Sequence, residues 1–247
     1  MEITSASGAA ALVWLCVAVP LLASGVLLVA GKRVKSWGHW LAVGASGLSL
    51  LVGSAALVQL IGASPEERAM RVRLYRWFAT GDFAVDLSLR VDPLSVTFLM
   101  LVTFVGTLIH VYSVGYMEHD PAKTRFFAYL NLFVASMLLL VLGDSYAAMF
   151  VGWEGVGLAS YLLISFWNQV PAYAAAGKKA FVMNRVGDVG LLAAMMLMVS
   201  SFGTVTFDGV AAGAARAGSG TLLAIGVLLL VGACGKSAQF PLQAWLG

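Results

Sequence analysis

Apolar residues recur along the chain in runs of about 20, separated by short polar stretches. A helix rising 1.5 Å per residue needs a run of about that length to cross a hydrocarbon core roughly 30 Å thick. The pattern predicts seven membrane helices, over residues 9–31, 39–62, 94–115, 126–143, 145–168, 175–201 and 221–246. Gly143-Asp144-Ser145 leaves almost no loop between the fourth and fifth, so these two should form an antiparallel pair with a tight turn. The first run is followed by Lys32, Arg33 and Lys35, where a signal peptide would have its basic residues in front, and it reads as a retained helix. Within the 63–92 loop, FAVDLSLRVD alternates apolar and polar residues after Thr80-Gly81-Asp82. That period of two predicts a short β-hairpin, with an irregular loop as the alternative.

Composition agrees with an all-α polytopic membrane protein. Hydrophobic residues make up 60% of the 247 and charged residues 11%, and the mean hydropathy is +0.90. The net charge of +3 comes without basic clusters interleaved with aromatics, so nucleic-acid binding has no basis. Cys16 and Cys234 lie in the first and last runs without metal or redox spacing and read as packing residues. Basic residues in alternate loops are Lys32, Arg33 and Lys35, then Lys123 and Arg125, then Lys178 and Lys179. The 63–92 loop sets five arginines against five acids, and the last loop holds Arg216 and Asp208. The positive-inside rule then places the N-terminus outside.

The informative residues are those that break the apolar pattern at depth. Glu154 lies near the middle of the fifth run, Arg185 and Asp188 interrupt the sixth, and Lys236 the seventh. An ionised side chain there costs about 3 kcal/mol or more unless paired or hydrated, and such residues usually mark ion or proton pathways. At 1.5 Å per residue all four fall at mid-membrane, a lateral line that suits a proton relay. Glu154 sits in GWEGVG, where Gly152, Gly155 and Gly157 leave room for a neighbouring helix. Lys236 lies between two glycines and Pro241 in VGACGKSAQFPLQAW, a composition that invites a helix break.

Each of these residues also has a plainer reading. Arg185 and Asp188, three apart, can form a structural ion pair. Lys178 and Lys179 can simply snorkel at a helix end. His110 is a weaker relay candidate, because a lone histidine on an apolar face is more often a packing residue. His119 belongs to a loop, and Trp153, Trp167 and Trp245 suit packing or interface anchoring. No phosphate-binding glycine loop, nucleophile–base pair or dinucleotide fingerprint is present, so no cofactor and no metal is expected.

The stretches DPLSVTFLMLVTFVGTLIHVYSVGYM, RFFAYLNLFVASMLLLVLGDSYAAMFVGWEGVGLASYLLISFW, KKAFVMNRVGDVG and GKSAQFPLQAWL resemble the L-subunit family of proton-translocating NADH:quinone oxidoreductase, respiratory complex I. The likeness runs from about residue 92 to 246, and residues 1–91 match only in layout. It implies an antiporter-like bundle of two inverted five-helix repeats with a broken helix in each. Glu154 would be the family's essential glutamate, Lys236 the lysine of the broken seventh helix, and Asp188 with Arg185 the charged pair of the sixth. It also implies residence in the cell inner (plasma) membrane, other membrane subunits of complex I as partners, protons as cargo, and no cofactor on this chain. Two segments follow: 1–91, two helices and an outer loop, and 92–247, the start of the translocating core. Because the family continues past QAWL, the chain is expected to be a truncated product that does not pump alone. The rivals are a subunit of a multisubunit sodium/proton antiporter and a non-catalytic remnant.

Overall fold

A computed structural model describes residues 3–81 and 83–246. Asp82 of the expected turn and Gly247 at the end of the second expected segment lie outside the described residues. Among the described residues, eight α-helices and three strands follow in the order β1 (Thr4–Ser5), α1 (Trp14–Ala30), α2 (Gly38–Gly62), β2 (Met70–Thr80), β3 (Phe83–Val91), α3 (Pro93–Tyr116), α4 (Lys123–Leu142), α5 (Tyr146–Ile164), α6 (Pro171–Phe202), α7 (Phe207–Ala214) and α8 (Ser219–Lys236). All but the short α7 are long and apolar enough to cross a membrane, α1 being extended to Ala10–Val34 by flanking 3-10 turns. The chain is a multi-pass membrane protein. Leu22, Val29, Leu51, Val58 and Ile61 project from its outer surface, where lipid would cover them.

Local chemistry sets the ends of these helices. Asp92 caps α3, accepting from the Ser95 amide at 2.8 Å while its own amide donates to Ser95 Oγ at 2.9 Å, and Pro93 occupies the first helical position. Ser145 Oγ caps α5 by accepting from the Ala148 amide at 3.1 Å. Gly203, left-handed at φ 68°, closes α6. Pro20 sits inside α1 and removes a donor that would have reached the Cys16 carbonyl. Ser49 Oγ on α2 lies 3.1 Å from Cys16 O and 3.2 Å from Ala45 O, so the hydroxyl can donate to the freed carbonyl inside the bundle.

α4 packs against α1, α2, α3 and α5, and α6 bridges α5 to α8. The main core cluster lies among α1 to α4, with Val13, Leu60, Leu99, Leu138 and Leu142 fully or nearly buried. It continues into the hairpin through Leu89 and Val91. A smaller cluster of Ala194, Met198, Val210 and Ile225 joins α6, α7 and α8.

The hairpin anticipated in the 63–92 loop is present, β2 and β3 pairing antiparallel from Met70↔Val91 to Thr80↔Phe83. β1 adds a short parallel strand, placing the N-terminus on the hairpin's face of the bundle. The hairpin is fastened to the helices. The Asp144 amide donates to Ser88 O at 3.1 Å and the Tyr146 amide to Val205 O at 2.9 Å, so the α4–α5 turn is hydrogen-bonded from both sides. Around it Arg71 pairs with Asp144 and, at 2.8 Å, with Asp208. Arg90 reaches Asp92 at 3.0 Å and Asp208 at 3.1 Å. Burial pushes the Asp144 carboxyl above the usual carboxylate range, against the pull of Arg71 and Arg90. Arg71→Ala should therefore lower the unfolding free energy by about 1–3 kcal/mol, because a buried acid loses its main partner and keeps only Arg90. Thermal unfolding in detergent measures this, and an unchanged melting temperature would reduce the pair to surface decoration.

The seventh span departs from expectation. It ends at Lys236 and does not run to 246. Pro241 has no amide proton and its ring would collide with the Ser237 carbonyl in a continuing helix, so the chain must leave helical geometry before it. Ala238 turns it at φ 48°, and the Gln239 amide closes back on Cys234 O at 3.0 Å. Trp245 Nε1, returning on a 3-10 turn over Gln243–Trp245, donates to the Gly235 carbonyl in the last turn of α8 at 2.9 Å.

Candidate functional site

Three helices bring the intramembrane charges together. Glu154 lies about 12 Å along α5, Arg185 and Asp188 near the middle of α6, and Lys236 is the last residue of α8. Arg185 stands at the centre. One guanidinium nitrogen pairs with Glu154, and the other pairs with Asp188 at 2.8 Å. Its face rests on the Phe181 ring at 4.8 Å, which holds the guanidinium plane. The arginine's pairing partner on α5 was not evident from the i, i+3 spacing, which showed only Asp188.

Asp188 is buried. Its second oxygen accepts from Trp153 Nε1 at 2.5 Å, and the same indole lies beneath the Lys236 ammonium, 5.8 Å from Nζ to the ring centroid. Trp153 thus has a polar role beyond the packing expected from its sequence. The signal for it is the indole donor itself, which needs an acceptor wherever it is buried. Gly157, one turn after Trp153, opens the remaining space. A Cβ there would stand 2.5 Å from Arg185 Nη2 and 2.6 Å from Lys236 Nζ, so both cationic head groups occupy what would be its side-chain volume. Gly152 and Gly155 instead face α4.

Lys236 differs from the other three. Its Nζ is enclosed and has no hydrogen-bond partner among the described residues. It lies next to Arg185, a like charge, and over the same Trp153 indole whose N–H is given to Asp188. The site therefore pairs two acids with two bases, of which three are locked together and one is loose. A proton on Lys236 is repelled by Arg185 and attracted by Asp188 and Glu154. Breaking the Arg185–Glu154 contact changes that balance without moving Lys236 at all.

The weaker candidates lie elsewhere. His110 on α3 is buried against Phe127. Its Nδ1 lies 2.7 Å from Gly106 O and its Nε2 3.2 Å from the Asn131 amide nitrogen, so both ring nitrogens have partners within the α3–α4 contact. Lys178 and Lys179 are exposed on the first turns of α6. Among the described residues no three His, Cys, Asp or Glu side chains are grouped as a metal site would require.

A helical membrane bundle with a charged core at the convergence of α5, α6 and α8 has the build of the antiporter-like membrane subunits. Residues 77–127 match the family described as NADH-Ubiquinone oxidoreductase (complex I), chain 5 N-terminus, and residues 143–247 the family described as NADH:quinone oxidoreductase/Mrp antiporter, TM. NADH-quinone oxidoreductase subunit L of Mycobacterium tuberculosis is 53% identical over 234 residues, which cover 95% of this chain and 37% of that protein. The Escherichia coli subunit L is 42% identical over 242 residues, 94% of this chain and 38% of the relative. NADH-ubiquinone oxidoreductase chain 5 of Metridium senile is 38% identical over 233 residues, with 94% and 38% covered. A chain of the Mrp complex from a Dietzia species superposes with a TM-score of 0.78 at 27% identity, over 95% of this chain and 24% of that one. A chain of the archaeal membrane-bound sulfane sulfur reductase shares the fold at a TM-score of 0.81 and 19% identity, over 95% of this chain and 46% of its own. The chain belongs to the antiporter-like family of NADH:quinone oxidoreductase and Mrp membrane subunits. It spans about 37% of the length of the curated relatives it matches.

Proposed function

We propose that this chain supplies the first translocating unit of a proton-pumping subunit of NADH:quinone oxidoreductase, with a relay built of Glu154, Arg185, Asp188 and Lys236 in which Arg185 supplies the fixed charge and the other three exchange protons. In this reading residues 1–91 form two helices and an outer hairpin, and residues 92–247 begin the translocating core. The N-terminus and hairpin face outward from the cell inner membrane, in keeping with the basic residues Lys123, Arg125, Lys178 and Lys179 at the opposite end. The partners are the other membrane subunits of the complex, the cargo is protons, and quinone reduction takes place elsewhere.

The observation that carries the reading is the loose Lys236 ammonium beside a closed Glu154–Arg185–Asp188 triad. A partnerless cation in a low-dielectric site is costly unless it is used. When Arg185 holds Glu154, that carboxylate's charge is spent. When the contact opens, Glu154 is free to take a proton and the field at Lys236 rises or falls with it. The residue is therefore suited to hand on a proton in one arrangement and regain it in the other.

Lys236→Ala in the assembled complex, reconstituted in vesicles, should abolish proton uptake driven by quinone turnover. Lys236→Arg should keep part of the structural charge but little of the transport, because a guanidinium does not release its proton near neutral pH. Wild-type pumping in both variants would retire Lys236 from the relay. The Mrp likeness supports a second reading, a sodium/proton antiporter subunit. Sodium-dependent proton exchange without quinone turnover would favour it, and strict dependence on NADH and quinone would exclude it.

A further inference from the structure

The end of the bundle opposite the hairpin holds a cavity of about 290 Å³ between the start of α4, the end of α5 and the start of α6. Its lining includes Arg125, Lys178, Tyr129, Tyr161, Ser165 and Asn168, and no acidic side chain. Neither Arg125 nor Lys178 makes an ion pair among the described residues. Lys123 and Lys179 near this end are likewise without an ion pair among the described residues, but only Arg125 and Lys178 line the cavity. Of the two acids in the preceding loop, Glu118 and Asp120, neither lines the cavity, and Asp120 already accepts from Trp167 Nε1 at 2.9 Å and the Ala122 amide at 2.7 Å.

Arg125 is held in place. It lies over the Phe166 ring at 4.9 Å, and its Nη2 donates to Phe166 O at 3.0 Å. Its Nε is enclosed without a hydrogen-bond partner among the described residues. A guanidinium so anchored, with an ammonium on the facing helix and two phenols and an amide also on the wall, presents a surplus of donors and a net positive charge to one small volume, while the Ser165 hydroxyl is taken up by Tyr161 O at 2.6 Å. We infer that this cavity binds a phosphate group, taken either from a phospholipid headgroup or from free phosphate. Arg and Lys flanking a planar or tetrahedral oxyanion is the arrangement that such groups select. Arg125 and Lys178 stand near the starts of α4 and α6, helix ends at which lipid headgroups would lie, and Leu162 and Ala174 add apolar wall beside them, so a phospholipid could present the group as readily as free phosphate.

The test uses the chain in its assembled membrane complex, purified in detergent and titrated with three probes while bound lipid is counted by native mass spectrometry. The probes are phosphatidylglycerol, a diacylglycerol with the same tails, and inorganic phosphate. Lys178 is exposed and makes no fold contact that α6 depends on, so Lys178→Gln is the first variant and Tyr161→Phe the second. Arg125→Lys, which keeps charge but loses the fork, is the third. The expected result is one phosphatidylglycerol retained by the wild type, no diacylglycerol, and an affinity weaker by about tenfold to a hundredfold in Lys178→Gln, the loss of one charge-assisted contact. Inorganic phosphate displacing that lipid, with the same dependence on Lys178, assigns the site to the phosphate group whatever its source. Equal retention of diacylglycerol and phosphatidylglycerol overturns the inference, and so does undiminished phosphatidylglycerol binding in Lys178→Gln and Arg125→Lys.

Discussion

Glu154→Gln should reduce proton translocation on the order of a hundredfold, the lower end of what a positioned proton-transfer group contributes, while leaving the protein in the membrane. The amide is nearly isosteric and still hydrogen-bonds, but it cannot be protonated and carries no charge for Arg185. The guanidinium is then left with Asp188 alone, and the triad that keeps Lys236 apart loses its α5 member. Proton uptake by vesicles containing the reconstituted complex measures the loss, and the amount of chain recovered in membranes controls for insertion. Glu154→Asp, shorter but ionisable, should fall between the two. A glutamine variant that pumps with normal stoichiometry would remove Glu154 from the pathway.

A comparable loss is expected from Gly187→Leu, which touches no charged residue. A Cβ on Gly187 would stand 2.8 Å from Gly235 Cα and 3.2 Å from Gly232 O, so α6 and α8 meet backbone to backbone. A side chain of any size must push the helices apart, at a cost of about 1–3 kcal/mol or more. Gly235 immediately precedes Lys236, and separation there also draws the ammonium away from Arg185 and Asp188. Both melting temperature in detergent and transport should fall. Gly44 on α2 is the control: no atom lies within 4 Å of its Cβ position, so Gly44→Leu should be tolerated. Equal behaviour of the two variants would mean that the α6–α8 contact does not set the site.

The sequence made the spans legible because lipid imposes one rule on every segment: length and apolarity are enough. It also exposed Glu154, Arg185, Asp188 and Lys236, since each is expensive where it sits. What it left dark depends on neighbours far along the chain. Arg71, Asp144 and Asp208 looked like unrelated loop charges to be counted for orientation, yet they converge across 73 and 137 residues of separation. Trp153 read as packing because nothing local shows where an indole N–H points. The stop of α8 at Lys236 was foreshadowed by Pro241 but displaced from it, since the ring excludes helix several residues upstream. The short α7 gave no signal: eight residues are too few for a span, and its cap, Thr206 Oγ1 accepting from the Gly209 amide at 3.2 Å, resembles any loop threonine.

The stitched turn at Asp144 also bears on how the bundle can flex. With β3 on one side and the strand-like link before α7 on the other, the hairpin-side ends of α4, α5 and α6 are tied at one rim, and tied ends travel least. Any tilting of α5 against α6 is accordingly smallest there and grows toward the far end, like the blades of scissors beyond their rivet. Glu154 and Arg185 ride partway along those blades, where a small rotation at the rivet becomes the opening or closing of a single ion pair.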